Sequence, residues 1–293
     1  MRNWEKALEK HVREWMDYQL GITERRPETI VPQETLTIQR FRESLERRGG
    51  ELLKMDVSVQ PYRIQRLDLE ELVRYQLYFT KLIKVKDHYH LEEHIHKREA
   101  KTHAGRIIID KRLQDSSLQA ARHSPPTDIK GERSFVYDRR KAVQYAERWW
   151  NDYNPQYRAF SVNCTNFVSQ CLRAGNAPMR GMPNREKGWW YTDDGWSYSW
   201  SVAHSFRWYL SSSTSGLTAV EVEEAADLGL GDVICYDFNG DNRWQHTTIV
   251  TNFDGNNEPL VNAQTSNSRA RYWKYDDSTA WTPNIKYKFF RIQ

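Results

Sequence analysis

The chain has 293 residues, which is long for one domain and favours two. Hydrophobic residues make up 39% and charged residues 28%, a balance typical of globular proteins that bury a core. The formal net charge is only +4, and Lys and Arg are interspersed with Glu and Asp, so the charge pattern does not predict a nucleic-acid-binding protein. No segment approaches the roughly 18 consecutive apolar residues that a membrane span needs, and we expect no transmembrane helix.

The first 113 residues change periodicity part-way. Apolar residues recur every three or four positions at first, which predicts two amphipathic helices, at 3–20 and 32–48. Apolar and polar residues then alternate, and this pattern predicts strands. The expected strands are 52–67, 72–86, 87–100 and 106–113. Helices followed by consecutive long strands predict an α+β domain with an antiparallel sheet over 1–113, whose role the sequence does not indicate.

Four histidines in one predicted strand raise the question of a metal site. On a strand, His88 and His90 share one face, as do His94 and His96. Lys and Glu surround them and no motif places a further ligand type, so we expect solvated strand faces. We predict no metal ion and no cofactor.

A polar segment divides the chain. Residues 114–134 are polar and contain Ser116-Ser117, Ser124-Pro125-Pro126, Asp128 and Gly131, which predicts a linker before a second domain over 135–293. The three cysteines, Cys164, Cys171 and Cys235, fit neither a disulfide framework nor a zinc site. With no apolar signal-peptide core at the N-terminus, we expect a cytoplasmic protein, and association with spores is compatible with the same sequence.

Cys164 occupies a position that suits a nucleophile. Apolar residues 167, 168, 171 and 172 predict a helix that begins at Cys164 and ends at Gly175. Unpaired N–H groups at a helix start favour a thiolate, and the Cys164 N–H would be an oxyanion-hole donor. Cys171 lies on the apolar face of the same helix and is predicted to be structural.

His246 is the predicted base for this nucleophile. It opens a predicted strand, 246–251, that follows a strand beginning near Val233, so it is expected at the rim of a sheet. A third strand follows the turn at 254–257 and would bring Asn262 or Gln264 beside the imidazole. Either amide oxygen would orient His246 as the third member of a triad, and the sequence does not decide between them.

These residues together resemble a known family, the putative amidase domain of bacilli and clostridia. The matching segments are 138–150, Asn163–Leu172, Ser199-Trp200, Gly231–Ile234 and His246–Thr251, within about 135–293. That family is related to the NlpC/P60 and CHAP cysteine hydrolases of cell-wall metabolism. The resemblance implies a papain-like fold and a Cys164–His246 dyad. It also implies thioester-mediated hydrolysis of amide bonds, with peptides or peptidoglycan as the substrate class. The family often has His-Thr where this chain has Gln264-Thr265, and glutamine lends the imidazole no negative charge.

Two further expectations and two alternatives accompany this hypothesis. Asn163 is a candidate for shaping the oxyanion hole or, alternatively, for capping the helix. Trp189, Trp190 and Trp200 lie in an aromatic segment that is a candidate wall of a substrate groove, although Trp200 also fits a structural role. The alternatives to a hydrolase are a non-catalytic module that binds a cell-wall or spore-coat polymer, and an acyltransferase or transglutaminase on the same fold. Protein partners are not indicated.

Overall fold

The computed structural model describes residues 3–113 and 135–293. The predicted linker at 114–134 lies outside the described residues. The rest forms two compact units. The N-terminal unit contains residues 3–113 and 274–279, and the C-terminal unit contains 135–273 and 280–293. Across the described residues, none of the helices combines the length and the apolar character that crossing a membrane requires.

The N-terminal unit is the predicted arrangement of two helices and an antiparallel meander. Its elements are α1 (Asn3–Gln19), α2 (Pro32–Arg47), β1 (Gly50–Leu67), β2 (Glu70–Val85), β3 (His88–His103) and β4 (Arg106–Arg112). Each strand pairs with the next in sequence. The apolar stripe of α1, which includes Trp4, Leu8 and Trp15, packs against buried residues of β1–β3 such as Tyr75 and Phe79. Alternating burial along β2 explains why its periodicity was readable in the sequence.

The expectation of solvated histidines is wrong for His90 and His94, which are buried. The His94 ring stacks on Phe79, and its Nε2 lies 2.8 Å from a carboxylate oxygen of Glu92. The same oxygen of Glu92 pairs with the buried ammonium of Lys81 at 3.3 Å. The charged residues around these histidines therefore pair with one another in the interior. This pairing compensates for the water that the charged groups lose on burial.

The C-terminal unit places helices over antiparallel strands. Its helices are α3 (Arg139–Trp149), α4 (Cys164–Ala174), α5 (Tyr198–Ser201) and α6 (Ala203–Ser212). Its strands are β5 (Tyr191–Thr192), β6 (Gly195–Trp196), β7 (Ala219–Val222), β8 (Val233–Asp237), β9 (His246–Phe253), β10 (Pro259–Ala263), β11 (Ser268–Tyr272) and β12 (Lys286–Ile292). Asp138 caps α3, since its carboxylate accepts from the Lys141 N–H at 3.0 Å. Helices and antiparallel sheets in both units confirm the α+β class.

The sheet of the C-terminal unit has two distinct faces. Its strand order is β11-β10-β9-β8-β12-β7, and adjacent strands are antiparallel where their registers are defined. One face, the helix face, contacts α4 through the hydroxyls of Thr247 and Thr165, which are 3.1 Å apart. The opposite, aromatic face carries Tyr236 and Tyr287, whose ring centroids are 5.7 Å apart. Because side chains alternate along a strand, each site residue on β8 or β9 belongs to one face or the other.

Candidate active site

Cys164 is the first residue of α4, as the sequence predicts, and is 1% exposed. Its Sγ lies 3.8 Å from the hydroxyl of Thr165. The other two thiols are poor nucleophiles, because burial raises the pKa of Cys171 and of Cys235. Cys164 is therefore the cysteine whose surroundings best suit nucleophilic chemistry.

Two backbone N–H groups at the start of α4 converge on one oxygen atom. The Asn163 N–H donates to Thr265 Oγ1 at 2.8 Å, and the Cys164 N–H donates to the same oxygen at 3.2 Å. Helix starts leave such N–H groups without partners inside the helix, so an external oxygen must satisfy them. Two N–H donors aimed at one oxygen beside a cysteine form the geometry that stabilises an oxyanion.

Asn163 and Gln264 are brought together, but neither contacts His246. The Asn163 side-chain amide donates to Gln264 Oε1, and its own oxygen accepts from the Phe160 N–H at 2.8 Å. Asn163 makes no side-chain capping bond to α4. The amide of Gln264 donates to the carbonyl oxygens of Trp149 and Asp152 at 2.6 and 2.7 Å. The pair thus fixes the loop after α3 to the start of α4.

Asn262, the other candidate for orienting the base, lies on the helix face. Its Oδ1 accepts from the Thr251 hydroxyl at 2.9 Å and from the Ala270 N–H at 2.8 Å. Its Nδ2 donates to Glu147 of α3 at 2.9 Å. These partners indicate that Asn262 ties α3 to the sheet in this conformation.

His246 lies on the aromatic face. It pairs in register with Tyr236, and its ring centroid is 5.6 Å from that of Tyr236 and 6.1 Å from that of Phe238. Its neighbour Thr247 contacts α4, so strand alternation directs His246 away from Cys164. Burial, with a smaller contribution from the charge of Arg271, lowers the pKa of His246 to about 3. The imidazole is therefore neutral at pH 7 and on the opposite face from the thiol.

The three tryptophans predicted to line a groove are buried instead, and two of them lie beside α4. Trp189 and Trp200 pack on each other with ring centroids 4.7 Å apart, and both are fully buried. Their indole N–H groups donate to Ser169 and Asn166 of α4, at 2.9 and 2.8 Å. Trp190 is 3% exposed. In this conformation Trp189 and Trp200 pack against α4, and the three rings do not form an open surface.

A family model described as "Putative amidase domain" matches residues 136–290, slightly more than half of the chain. The chain belongs to this family. The match includes Cys164, Thr265 and His246 and spans nearly all of the C-terminal unit.

Two proteins of Bacillus subtilis strain 168 are similar to the chain. "Uncharacterized protein YhbB" is 55% identical over 201 residues, which are 69% of this chain and 61% of YhbB. "Uncharacterized protein YjcM" is 34% identical over 135 residues, or 43% of this chain and 29% of YjcM. The chain thus covers less than two thirds of the length of either relative. No solved structure matches the chain.

Thr265 is the residue of this amidase domain that sequence reasoning missed. Its φ of 82° lies in the left-handed region, where a β-branched residue is a genuine outlier. Such strain persists only where surrounding contacts enforce it, and it concentrates at functional sites. The sequence offered one signal, its position directly after Gln264 at the end of a predicted strand, but backbone strain cannot be read from residue types.

Proposed function

We propose that this chain is a cysteine-dependent amide-bond hydrolase in which Cys164 is the nucleophile. Family membership supports the bond type. The observation that carries the choice of residue is the pair of N–H groups, from Asn163 and Cys164, that meet at Thr265 Oγ1. A substrate carbonyl oxygen that replaced this hydroxyl would accept both hydrogen bonds, directly beside the thiol. Thr265 is partly exposed.

The proposed reaction is acyl transfer to water. The Cys164 thiolate attacks the amide carbon, and the carbonyl oxygen takes up negative charge near the two N–H groups. The C–N bond then breaks as the nitrogen receives a proton, leaving a thioester on Cys164 and a free amine. Water adds to the thioester and releases the carboxylic acid and the thiol. Peptides, including those of peptidoglycan, are the proposed substrates.

His246 remains the proposed proton carrier, and the described conformation limits how it can act. Its ring is on the aromatic face, whereas α4, which begins at Cys164, contacts the helix face through Thr165. Direct proton transfer between them therefore requires a conformation other than the one described. Asn262 and Gln264 stay proposals as orienting residues on the same condition, because their amides have other partners here.

Substitution of the nucleophile tests the proposal. Purified peptidoglycan and short peptide amides would be incubated with wild type, Cys164→Ala and Cys171→Ala, and released amines would be measured. We expect Cys164→Ala to fall to background and Cys171→Ala to keep most activity, because the thiol of Cys171 is fully buried. Equal release by wild type and Cys164→Ala would refute Cys164 as the nucleophile. An added amine acceptor in the wild-type reaction separates hydrolysis from acyl transfer, since a hydrolase releases mainly the free acid and a transferase forms mainly the new amide.

His246→Asn tests the proton carrier separately. A general base contributes about 10²–10⁴-fold to the rate, so a base at His246 predicts at least a 100-fold loss of kcat with the protein still folded. Unchanged kcat in a folded His246→Asn protein would exclude His246 as the proton carrier. The role of Cys164 would still be decided by the Cys164→Ala measurement.

One observation favours a non-catalytic module, namely that Cys164 is buried and His246 is on the other face. The rates of iodoacetamide modification of the three thiols distinguish the two functions. An enzyme predicts that Cys164 reacts far faster than Cys171 and Cys235, both of which burial keeps protonated. Equal, slow rates for all three would support a binding module.

A further inference from the structure

We propose that the C-terminal unit has an anion-binding subsite, separate from Cys164, that recognises a carboxylate group of a peptide substrate. The subsite is a cavity of about 650 Å³ between α6, the loop before β9, and β12. The lining residues are three cations and three aromatic residues with one amide: Arg207, Lys286, Lys288, Trp208, Trp244, Tyr287 and Asn242. No carboxylate lines this cavity among the residues that the structure describes.

Arg207 is the buried cation of this subsite. It is 9% exposed, and its guanidinium lies 4.1 Å from the centroid of Trp208 and 5.3 Å from that of Trp244. Within the described part of the chain, its Nε and Nη1 have no hydrogen-bond partner. The nearest carboxylate oxygen, on Glu221, is 3.9 Å from Nη2, beyond hydrogen-bonding distance. A desolvated cation without full compensation raises the affinity of the cavity for a negative charge.

The two lysines add mobile positive charge at the cavity mouth. Lys288 pairs with Glu221, the same carboxylate that faces Arg207, so one anion is shared by two cations. Lys286 donates to Asn242 at 3.1 Å, which is a neutral partner. The buried carboxylate of Asp237, opposite Lys286 in the sheet, accepts instead from the backbone N–H groups of Gly240 and Asn242. The cavity therefore has an excess of positive charge.

Sheet register places the two lysines of this subsite on the helix face, which α4 contacts, and Tyr287 on the aromatic face. Lys288 is opposite Cys235, and Cys235 is opposite Thr247, which contacts α4. Directly opposed residues share a face of the sheet, and neighbouring strands are about 4.8 Å apart. Lys288 is therefore about 10 Å from Thr247 along the helix face. A peptide spans that distance in roughly three extended residues.

The chemistry of the lining favours a carboxylate on an organic chain. Indole rings provide apolar area for the chain, and lysines pair with the charged group. A free phosphate would use the cations but leave the aromatic area uncovered. This inference rests on the proposed function for one point, that the scissile amide lies at Cys164 while the carboxylate occupies the subsite.

Calorimetric titration of the full-length Cys164→Ala protein tests the subsite at low ionic strength. The probes are N-acetyl-Ala-Ala-Glu with free carboxylates, its neutral counterpart N-acetyl-Ala-Ala-Gln amide, and inorganic phosphate. We expect the acidic peptide to bind at least about tenfold more tightly than the neutral one, because a charge-assisted hydrogen bond contributes that much. Lys286→Gln combined with Lys288→Gln should abolish this preference. Lys187→Gln, which removes an exposed lysine outside the cavity, should retain it.

Three results would overturn the subsite. These are equal binding of both peptides, an equal loss in the Lys187→Gln control, and binding of phosphate without binding of the acidic peptide. Because binding is measured in a protein without the proposed nucleophile, it does not depend on hydrolysis. If wild type cleaves no amide and the acidic peptide still binds selectively, the proposed function fails and the subsite stands.

Discussion

Thr265 combines an unfavourable backbone with two favourable hydrogen bonds. A β-branched residue at a φ of 82° costs on the order of 1–3 kcal/mol. Its hydroxyl satisfies the N–H groups of Asn163 and Cys164, and a buried N–H left unpaired costs about 1–3 kcal/mol. The hydroxyl thus acts as the cap that the Asn163 side chain does not provide. In the proposed enzyme it also occupies the position of the substrate oxygen.

Substitution of Thr265 separates the hydroxyl from the shape of the side chain. We expect Thr265→Val to lower the free energy of unfolding by about 1–3 kcal/mol, because two N–H groups lose their acceptor. Thr265→Ser keeps the hydroxyl and should stay within about 1 kcal/mol of wild type. Urea unfolding measures both variants. If valine is as stable as serine, the two hydrogen bonds do not stabilise the start of α4.

At the scale of elements, one buried ion network joins the helices and strands of the N-terminal unit. Arg98 of β3 pairs with Glu34 of α2 at 2.8 Å and with Asp110 of β4 at 2.7 Å. Asp110 also accepts from Tyr75 of β2 and contacts His11 of α1, each at 2.9 Å. Five elements therefore meet at one guanidinium and one carboxylate, far from the candidate active site in sequence.

Arg98→Met should destabilise the N-terminal unit severely. Removing one partner of a buried pair leaves uncompensated carboxylates and costs about 3–5 kcal/mol. The matched control is Lys101→Met, on the same strand as Arg98. It breaks an exposed 2.8 Å pair with Glu70 of β2 and should cost no more than about 1 kcal/mol. Both are measured by urea unfolding. Equal losses in the two variants would contradict a structural role for the buried network.

Periodicity predicted these elements well because each has one buried face. The alternating residues of β2 and the apolar stripe of α1 coincide with the buried positions of these elements. The burial of His94 was not predicted, because its neighbours Glu92 and Lys81 are charged residues, which are usually exposed. In the structure they are buried as an ion pair. Residue type alone does not show which charges neutralise one another.

The sequence predicted the elements that carry the candidate site residues, but not the face of the strand on which His246 lies. That Cys164 begins a helix and His246 begins a strand follows from local patterns. The side on which the imidazole lies depends on whether His246 or Thr247 meets α4, and a shift of one residue in strand register reverses the answer. Register is set by long-range pairing with β8, which a single sequence does not reveal.

At the scale of the whole molecule, two buried groups, one in each unit, contribute to stability in different pH windows. His246, in the C-terminal unit, has a folded pKa of about 3, below its ordinary value of about 6.5. Its unfolded form binds a proton first, so the stability it contributes is complete above about pH 6.5 and declines as the pH falls towards 3. Asp110, in the N-terminal unit, has a pKa that burial tends to raise but that Arg98 and His11 hold below the ordinary value. Its contribution is complete above about pH 3.9 and declines only below that.

The C-terminal unit should therefore lose stability under mild acid through His246. Between pH 6.5 and 4.5, His246 lowers the free energy of unfolding of its unit by up to about 1.4 kcal/mol per pH unit. Cys171 and Cys235 are fully buried in that unit, so their trapping in urea with a pyridyl disulfide, which reacts in acid, reports on its unfolding. His246→Asn should flatten the pH dependence, because the variant has no imidazole to protonate on unfolding. The same slope in the variant would show that another group of the C-terminal unit takes up the proton on unfolding, and His246 would not be the source of the pH dependence.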